Sequence, residues 1–339
     1  MKLIKTEDAV GHVLCHDMTQ IIKDQYKDAR FRKGHVVTEE DIPVLLSMGK
    51  EHLYVWEMTP GMVHENDAAE RLLALCGQEN MIRSGVKEGK IELKAACDGV
   101  FLVDSARLVA VNSQDEVMIA TRKGGMAVRE GDKLAGMRVI PLIIEEEKLR
   151  KAEQAAGDKP LLSLKPYVRK TACIVATGGE VKKGLIKDTF TPVVIDKLKT
   201  HGIETLEVVY SGDGVENVRD AVLTMREKKP DMILCTGGMS VDPDDNTPGG
   251  IKAAGANIIA YGAPVLPGAM FLLGYFDDGM PVMGLPGCVM YAGATVFDLV
   301  LPKIAADVPV TRADLAALGE GGLCLGCKPC HYPICPFGK

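Results

Sequence analysis

The stretch from Met232 to Pro248, M-I-L-C-T-G-G-M-S-V-D-P-D-D-N-T-P, constrains the fold of this chain more than any other. Its apolar run, Met232 to Cys235, has the length of a buried strand. The run empties into Thr236, Gly237 and Gly238, where small residues let backbone N–H groups approach a ligand. Ser240 supplies a hydroxyl, Asp242, Asp244 and Asp245 supply carboxylates, and Thr247-Pro248 carries the cap and first-turn residues of a helix. Strand, glycine turn, acidic loop and helix start read as one unit, and two readings fit it. In one, backbone amides hold an anionic ligand while the carboxylates hold a divalent cation against its phosphates. In the other, the acidic loop only caps a helix.

The flanking pattern alternates strand and helix. Cys173 to Ala176 reads as a strand, Thr191 to Thr200 as a helix and Ile203 to Tyr210 as a second strand. Val215, Val218, Val222 and Met225 then recur at helical spacing, and a further helix ends at Ala253-Ala254-Gly255. Such alternation predicts an α/β fold with a mostly parallel sheet and helices on both faces. Ligands of such sheets gather beyond the carboxyl ends of the strands, where Thr177-Gly178-Gly179-Glu180, Asp213 and the stretch from Thr236 to Asp245 would fall. Ala269 to Phe276 and Met280 to Gly284, joined by Asp277-Asp278-Gly279, read as a hairpin beside that site.

Several separated motifs carry a family resemblance. T-G-G-x-x-x-x-P-x-D-x-T-P, starting at Thr236, resembles the signature of the molybdopterin-binding (MoaB/Mog-like) domain family, found in molybdopterin adenylyltransferases and in the last domain of molybdopterin molybdenumtransferases. Competence-damage-inducible nicotinamide-nucleotide hydrolases carry a similar domain, although nothing here resembles their usual second catalytic domain. Residues 171 to 181 resemble the family's first strand and its T-G-D-E-L turn. Gly184, Ile186 and Asp188 resemble G-x-I-x-D, and Asp213 sits at an acidic position of the adenylyltransferases. Leu285-Pro286-Gly287 resembles the L-P-G of the molybdenumtransferases. Five matches in order, from Lys170 to Pro302, are a specific signal.

The resemblance implies adenylyl transfer from ATP to molybdopterin, or exchange of that group for molybdate. It assigns ligand binding to Thr177, Gly178, Gly179, Thr236, Gly237, Gly238, Ser240, Asp242, Thr247, Pro286 and Gly287. It assigns chemistry to Glu180, Asp188, Asp213 and Asp245, with Asp188 and Asp245 handling Mg²⁺, because clustered carboxylates without a cation would repel a phosphate. T-G-G-M-S is closer to the S-G-G-V-S of the molybdenumtransferases than to T-G-G-T-G, which favours molybdenum insertion over adenylylation. Gly179, Asp242 and Cys288 depart from the family's aspartate, glycine and asparagine. A carrier or sensor of the finished cofactor stays open as a third reading.

Upstream of this domain the signals are local. Gly34 to Val37 reads as a strand, Thr38 and Asp41 begin a helix running to Met48, and His52 to Trp56 is another strand. This run resembles the segment that leads into the binding domain of the molybdenumtransferases. Ala68, Ala69, Leu72, Leu73 and Cys76 have helical spacing. Between Ile91 and Ile144, short β runs at Gly99 to Val103, Leu108 to Val111, Val117 to Ala120 and Val139 to Ile144 predict a small β-barrel-like module. The expected organisation is an α+β region over 1–90, the β module over 91–145, a charged linker over 146–169, the binding domain over 170–310 and a tail over 311–339. A net charge of −6 gives nonspecific nucleic-acid binding no support. No signal peptide is read, because M-K-L-I-K-T-E-D begins no continuous apolar region with a cleavage site, and no membrane span, because Gly262, Pro264, Pro267 and Gly268 break the longest apolar candidate. A cytoplasmic protein that binds pterin and nucleotide small molecules is expected, with homo-oligomerisation left open.

Of ten cysteines, Cys324, Cys327, Cys330 and Cys335 fall in the last sixteen residues as C-x2-C-x2-C-x4-C-P, with His331 among them. The run resembles the iron–sulfur spacing C-x2-C-x2-C-x3-C-P but is one residue longer, zinc held by four thiolates fits equally, and a thiol tail that binds nothing is the remaining reading. So short and glycine-flanked a tail is expected to draw its order from the metal rather than from a core.

Overall fold

A computed structural model of the chain describes residues 2–22, 26–55, 60–182, 184–240 and 245–339. The chain divides into two compact units. One comprises residues 1–94, 103–122 and 133–163, the other 95–102, 123–132 and 164–339.

The second unit is built on a six-stranded sheet. Its strands are β1 (Thr171–Thr177), β2 (Glu204–Ser211), β3 (Met232–Thr236), β4 (Asn257–Tyr261), β5 (Leu272–Tyr275) and β6 (Pro281–Leu285). Their order in space is β2-β1-β3-β6-β5-β4. The first four in that order run parallel, and β5 and β4 add an antiparallel edge. The expected hairpin is thus β5 with β6, with Leu273 opposite Met283.

The helices are α1 (Phe190–Lys199), α2 (Val215–Glu227), α3 (Thr247–Ala253), α4 (Val296–Ala305) and α5 (Arg312–Ala317). Successive side chains of a strand point to opposite faces, and the two cores follow that period. Ala172, Ile174, Met232, Leu234, Met283 and Leu285 pack with Val194 and Leu198 of α1 and Phe297 and Val300 of α4. Cys173, Val175, Ile233, Cys235 and Val282 pack with Val218, Val222 and Met225 of α2 and Ile251 of α3. Both faces are covered, so β3 is buried along its whole length.

Residues 1–166, which contribute to both units, differ from expectation in places. The strands between residues 91 and 145 do not close into one barrel. They are shared among a four-stranded sheet (Met81–Arg83, Ile91–Ala95, Val117–Thr121, Lys133–Val139), a three-stranded sheet (Gly99–Val103, Met126–Val128, Leu162–Pro166) and a pair (Met62–His64, Ile143–Glu145). Leu108 to Val111, read as strand, lie in the helix Ser105–Asn112. The Asp104 carboxylate accepts from Arg107 N at 3.1 Å, and that N-terminal cap outweighs the β preference of two valines. Gly34 to Val37 contributes only one isolated bridge, Val13 to Val36. Helix Asp41–Ser47 forms as expected, but no side chain caps it: Asp41 accepts from Thr38 N at 2.8 Å, outside the helix, and pairs with His35 Nε2 at 2.6 Å. Trp56 lies outside the described residues. The charged run after Glu145 forms helix Glu146–Ala156, which buries Leu149, Ala152 and Ala156 within the first unit.

The tail is ordered by packing. Phe337 is 2% exposed in the core with Phe297 and Leu299, the Tyr332 hydroxyl donates to Asp298 O at 3.0 Å, and Cys324 N donates to Leu266 O at 2.8 Å. The expectation that no core could hold this segment is therefore corrected. What the sequence concealed is that Phe337, beyond the last cysteine, reaches back into the domain. Among the described residues no helix is long and apolar enough to cross a membrane.

Candidate functional site

Parallel register brings four turns to one edge. Ala176 of β1 stands beside Tyr210 of β2 and Thr236 of β3, and Thr236 stands beside Leu285 of β6. The strands end flush, so Thr177-Gly178-Gly179, Ser211-Gly212-Asp213, Gly237-Gly238 and Pro286-Gly287 all emerge at their carboxyl ends. That is the edge at which ligands of open α/β sheets bind.

The central turn is clasped by threonines. The Thr177 hydroxyl donates to Thr236 O at 2.9 Å, the Thr247 hydroxyl donates to Gly237 O at 2.9 Å, and the two hydroxyl oxygens lie 3.2 Å apart. Gly237 (φ 83°) and Gly238 (φ 56°) are both left-handed; a Cβ would lie 2.5 Å from Thr177 O at the first and 2.7 Å from Thr247 Oγ1 at the second. Only glycine satisfies the backbone and the space at once. Tyr261, from β4, donates to Met239 O at 2.9 Å and Ser240 O at 3.3 Å, fastening the exposed end of the same turn. Burial, together with the negative charge of Asp245, pushes its phenol above the ordinary value, so it stays a donor. Sequence reasoning missed Tyr261 because it comes from a strand remote in the chain.

The acidic residues take separate roles. Asp213 accepts from Gly179 N at 3.0 Å, and a Cβ on residue 179 would stand 2.8 Å from its Oδ2. The missing family aspartate at 179 thus leaves room for the Asp213 carboxylate. Asp188 Oδ1 accepts from Phe190 N (2.9 Å) and Thr191 N (3.0 Å) and so caps α1, while its Oδ2 is buried without a completed bond. Burial acts to raise its pKa, but hydrogen bonding from Thr191, Phe190 and Tyr210 outweighs this and holds the carboxyl below the usual range. Glu180 lies in the single helical turn Gly179–Lys182, its side chain outside the described residues, as are Asp242 and Asp244 altogether. Among the described residues no three His, Cys, Asp or Glu side chains stand together as a metal-ligating group. Neither Asp188, Asp213 and Asp245 nor the four tail cysteines are gathered at one centre.

Pro286 and Gly287 open a 3₁₀ turn, Gly287–Met290, and nothing stands within 4 Å of the position a Gly287 Cβ would take. Cys288 follows, half-buried, its thiol pushed up by burial. No side chain caps α2, whose first turn begins immediately after Asp213-Gly214.

Residues 173–306 match the family model described as a probable molybdopterin binding domain, and residues 3–57 match one described as a domain of unknown function. A CinA-like protein of Mycobacterium tuberculosis is 33% identical over 76 residues, which are 22% of this chain and 18% of that protein; one of Petrotoga mobilis is 32% identical over 76 residues. The matched stretch thus spans about a fifth of these relatives' length. Among solved structures, MoaB of Thermus thermophilus is 16% identical, covering 42% of this chain and 98% of that one at a TM-score of 0.36. CinA of Thermoplasma acidophilum is 18% identical, covering 40% and 98% at 0.34.

Proposed function

We propose, from the match of residues 173–306 to the model of a probable molybdopterin binding domain, that the chain binds molybdopterin or its adenylylated form at the carboxyl edge of β1, β2, β3 and β6 and catalyses Mg²⁺-dependent insertion of molybdenum. The observation that carries this reading is the flush register, which aims four glycine-bearing turns at one edge. The amides of Gly178 and Gly237-Gly238, with the uncapped start of α2, suit a phosphate, whereas the Gly179 N–H is already taken by the Asp213 carboxylate. Pro286-Gly287 leaves open space on the β6 side for the rest of the ligand. Ser240, at the turn's exposed end, offers its hydroxyl there.

The dispersed carboxylates limit what Mg²⁺ can do. This cation usually takes one or two carboxylates and completes its shell with phosphate oxygens and water. Asp245 and the spare Oδ2 of Asp188 suit such partial ligation, and a protein-only site does not fit. Mg²⁺ is therefore expected to bind only together with the phosphate ligand. When bound it would neutralise phosphate charge.

The test is an assay combining molybdopterin, ATP, Mg²⁺ and molybdate. Molybdate-dependent consumption of the adenylylated pterin supports insertion. ATP turnover with bare molybdopterin would instead make the chain an adenylyltransferase, and binding without turnover would make it a carrier. Asp245→Asn should cut turnover by roughly two orders of magnitude or more while leaving folding nearly intact; unchanged activity would remove Asp245 from the site.

A further inference from the structure

We propose that the C-terminal loop from Cys324 to Cys335 is a thiolate metal centre that the metal itself assembles. Its ends are tied to the domain by hydrogen bonds and core packing, its middle by fewer contacts. Gly338 N donates to Gly321 O at 2.9 Å and closes the loop at its neck. Phe337 is buried, and Cys324, Tyr332 and Cys335 pack against the same core. Among the described residues, by contrast, no backbone group of residues 325–330 enters a backbone hydrogen bond. Leu325 and Ile334 are 74% and 83% exposed, and Cys327 and Cys330 are exposed as well.

A segment so held at both ends has paid most of its loop-closure entropy, yet its middle has neither core nor ladder to order it. Cysteine is among the most buried of residue types, so two exposed thiols on such a loop are not there for packing. Four thiols in twelve residues, two beside the neck and two in the slack middle, let the middle fold inward onto an ion. In the conformation described, no three of them stand together, so binding has to draw Cys327 and Cys330 toward Cys324 and Cys335. Binding a divalent ion releases the thiol protons as thiolates form. Four thiolates around Zn²⁺ leave a net charge of −2, which Lys328 within the loop and Lys339, whose Nζ donates to Pro333 O at 2.7 Å, stand ready to offset. Cys330 also rests against Gly293, where a Cβ would be 2.7 Å from Sγ, so the loop lies on the segment between the Pro286-Gly287 turn and α4.

The shared chemistry is a tetrathiolate site, which suits either zinc or an iron–sulfur cluster. The full chain, purified without oxygen, is analysed for zinc, iron and sulfide, and the metal-free, reduced protein is titrated with Co²⁺, whose thiolate charge-transfer absorbance reports sulfur ligation. About one zinc per chain, or iron with sulfide and visible absorbance, is expected. Cys327→Ser with Cys330→Ser should lower metal retention roughly tenfold or more while leaving the fold and pterin binding intact, and Cys97→Ser should change nothing. Metal-free protein that shows no cobalt–thiolate band, or a double variant that keeps its metal, would overturn the proposal. Metal content is read without pterin, so its failure is separate from failure of the pterin site.

Discussion

Thr247 holds the Gly237-Gly238 turn through one hydroxyl, with 1% of its surface exposed, and so tests how far the turn depends on its clasp. Thr247→Val removes the hydroxyl at nearly constant volume and leaves Gly237 O without that donor. A loss of roughly 1–3 kcal/mol in urea unfolding is expected. Molybdopterin affinity should fall alongside, because the turn's amides lose their fixed direction; a variant with unaltered affinity would show that the turn does not position the ligand. At this scale the sequence was legible where glycine and threonine are demanded by local geometry. It was less so for the carboxylates: Asp188-x-x-Thr191 was open to reading as a helix cap, but the reach of Asp213 to Gly179 N, across two strands, has no local signature.

Helix α4 begins with a capping box in which the Thr295 hydroxyl accepts from Phe297 N at 3.2 Å and Thr295 N donates to Asp298 Oδ2 at 2.7 Å; Lys197 of α1 also binds Asp298. Thr295→Ala should cost about 1 kcal/mol in chemical denaturation. The tail element behaves differently. Truncating a buried phenylalanine costs ~3–5 kcal/mol where the site cannot yield, but here the tail can detach, so the loss in Phe337→Ala is capped by the docking energy of the tail. Limited proteolysis should then cleave near Gly321 in the variant while the α/β domain stays intact; equal protection in both proteins would contradict the packing account. Helices and strands of the second unit follow their periodic patterns because both sheet faces are buried. Residues 91–145 were harder to read, since Asp104 starts a helix inside a valine-rich run and the strands there find partners far along the chain, among them Met62–His64 and Leu162–Pro166.

For the whole molecule, acid sensitivity follows from one buried and two half-buried histidines. Burial lowers the pKa of His16, His64 and His201, with Lys50 and His64 adding to the effect on His16 and Lys33 to that on His64. His64 is 5% exposed and donates through Nε2 to Cys15 O at 2.6 Å, while its Nδ1 accepts from Asn66 N, which suits the neutral ring. The unfolded chain binds protons at these sites from about pH 6.5 downward and the folded chain does not, so stability falls as pH drops below that value. Asp188 and Asp231, held below the usual range, lose their contribution only on further acidification, as pH falls through their folded-state values. Melting temperature should decline between pH 6.5 and 5 and be flat above, and His64→Gln should lessen the slope; a rise on acidification would contradict the assignment. Charge and overall pattern are legible without coordinates, but which histidines are desolvated depends on chain folded around them from tens of residues away. The most direct measurement on the central claim is amide hydrogen exchange of the full chain with and without molybdopterin. The account predicts slowed exchange at residues 177–180, 211–214, 236–240 and 286–288 together, and no binding, or protection confined to other surfaces, would contradict it.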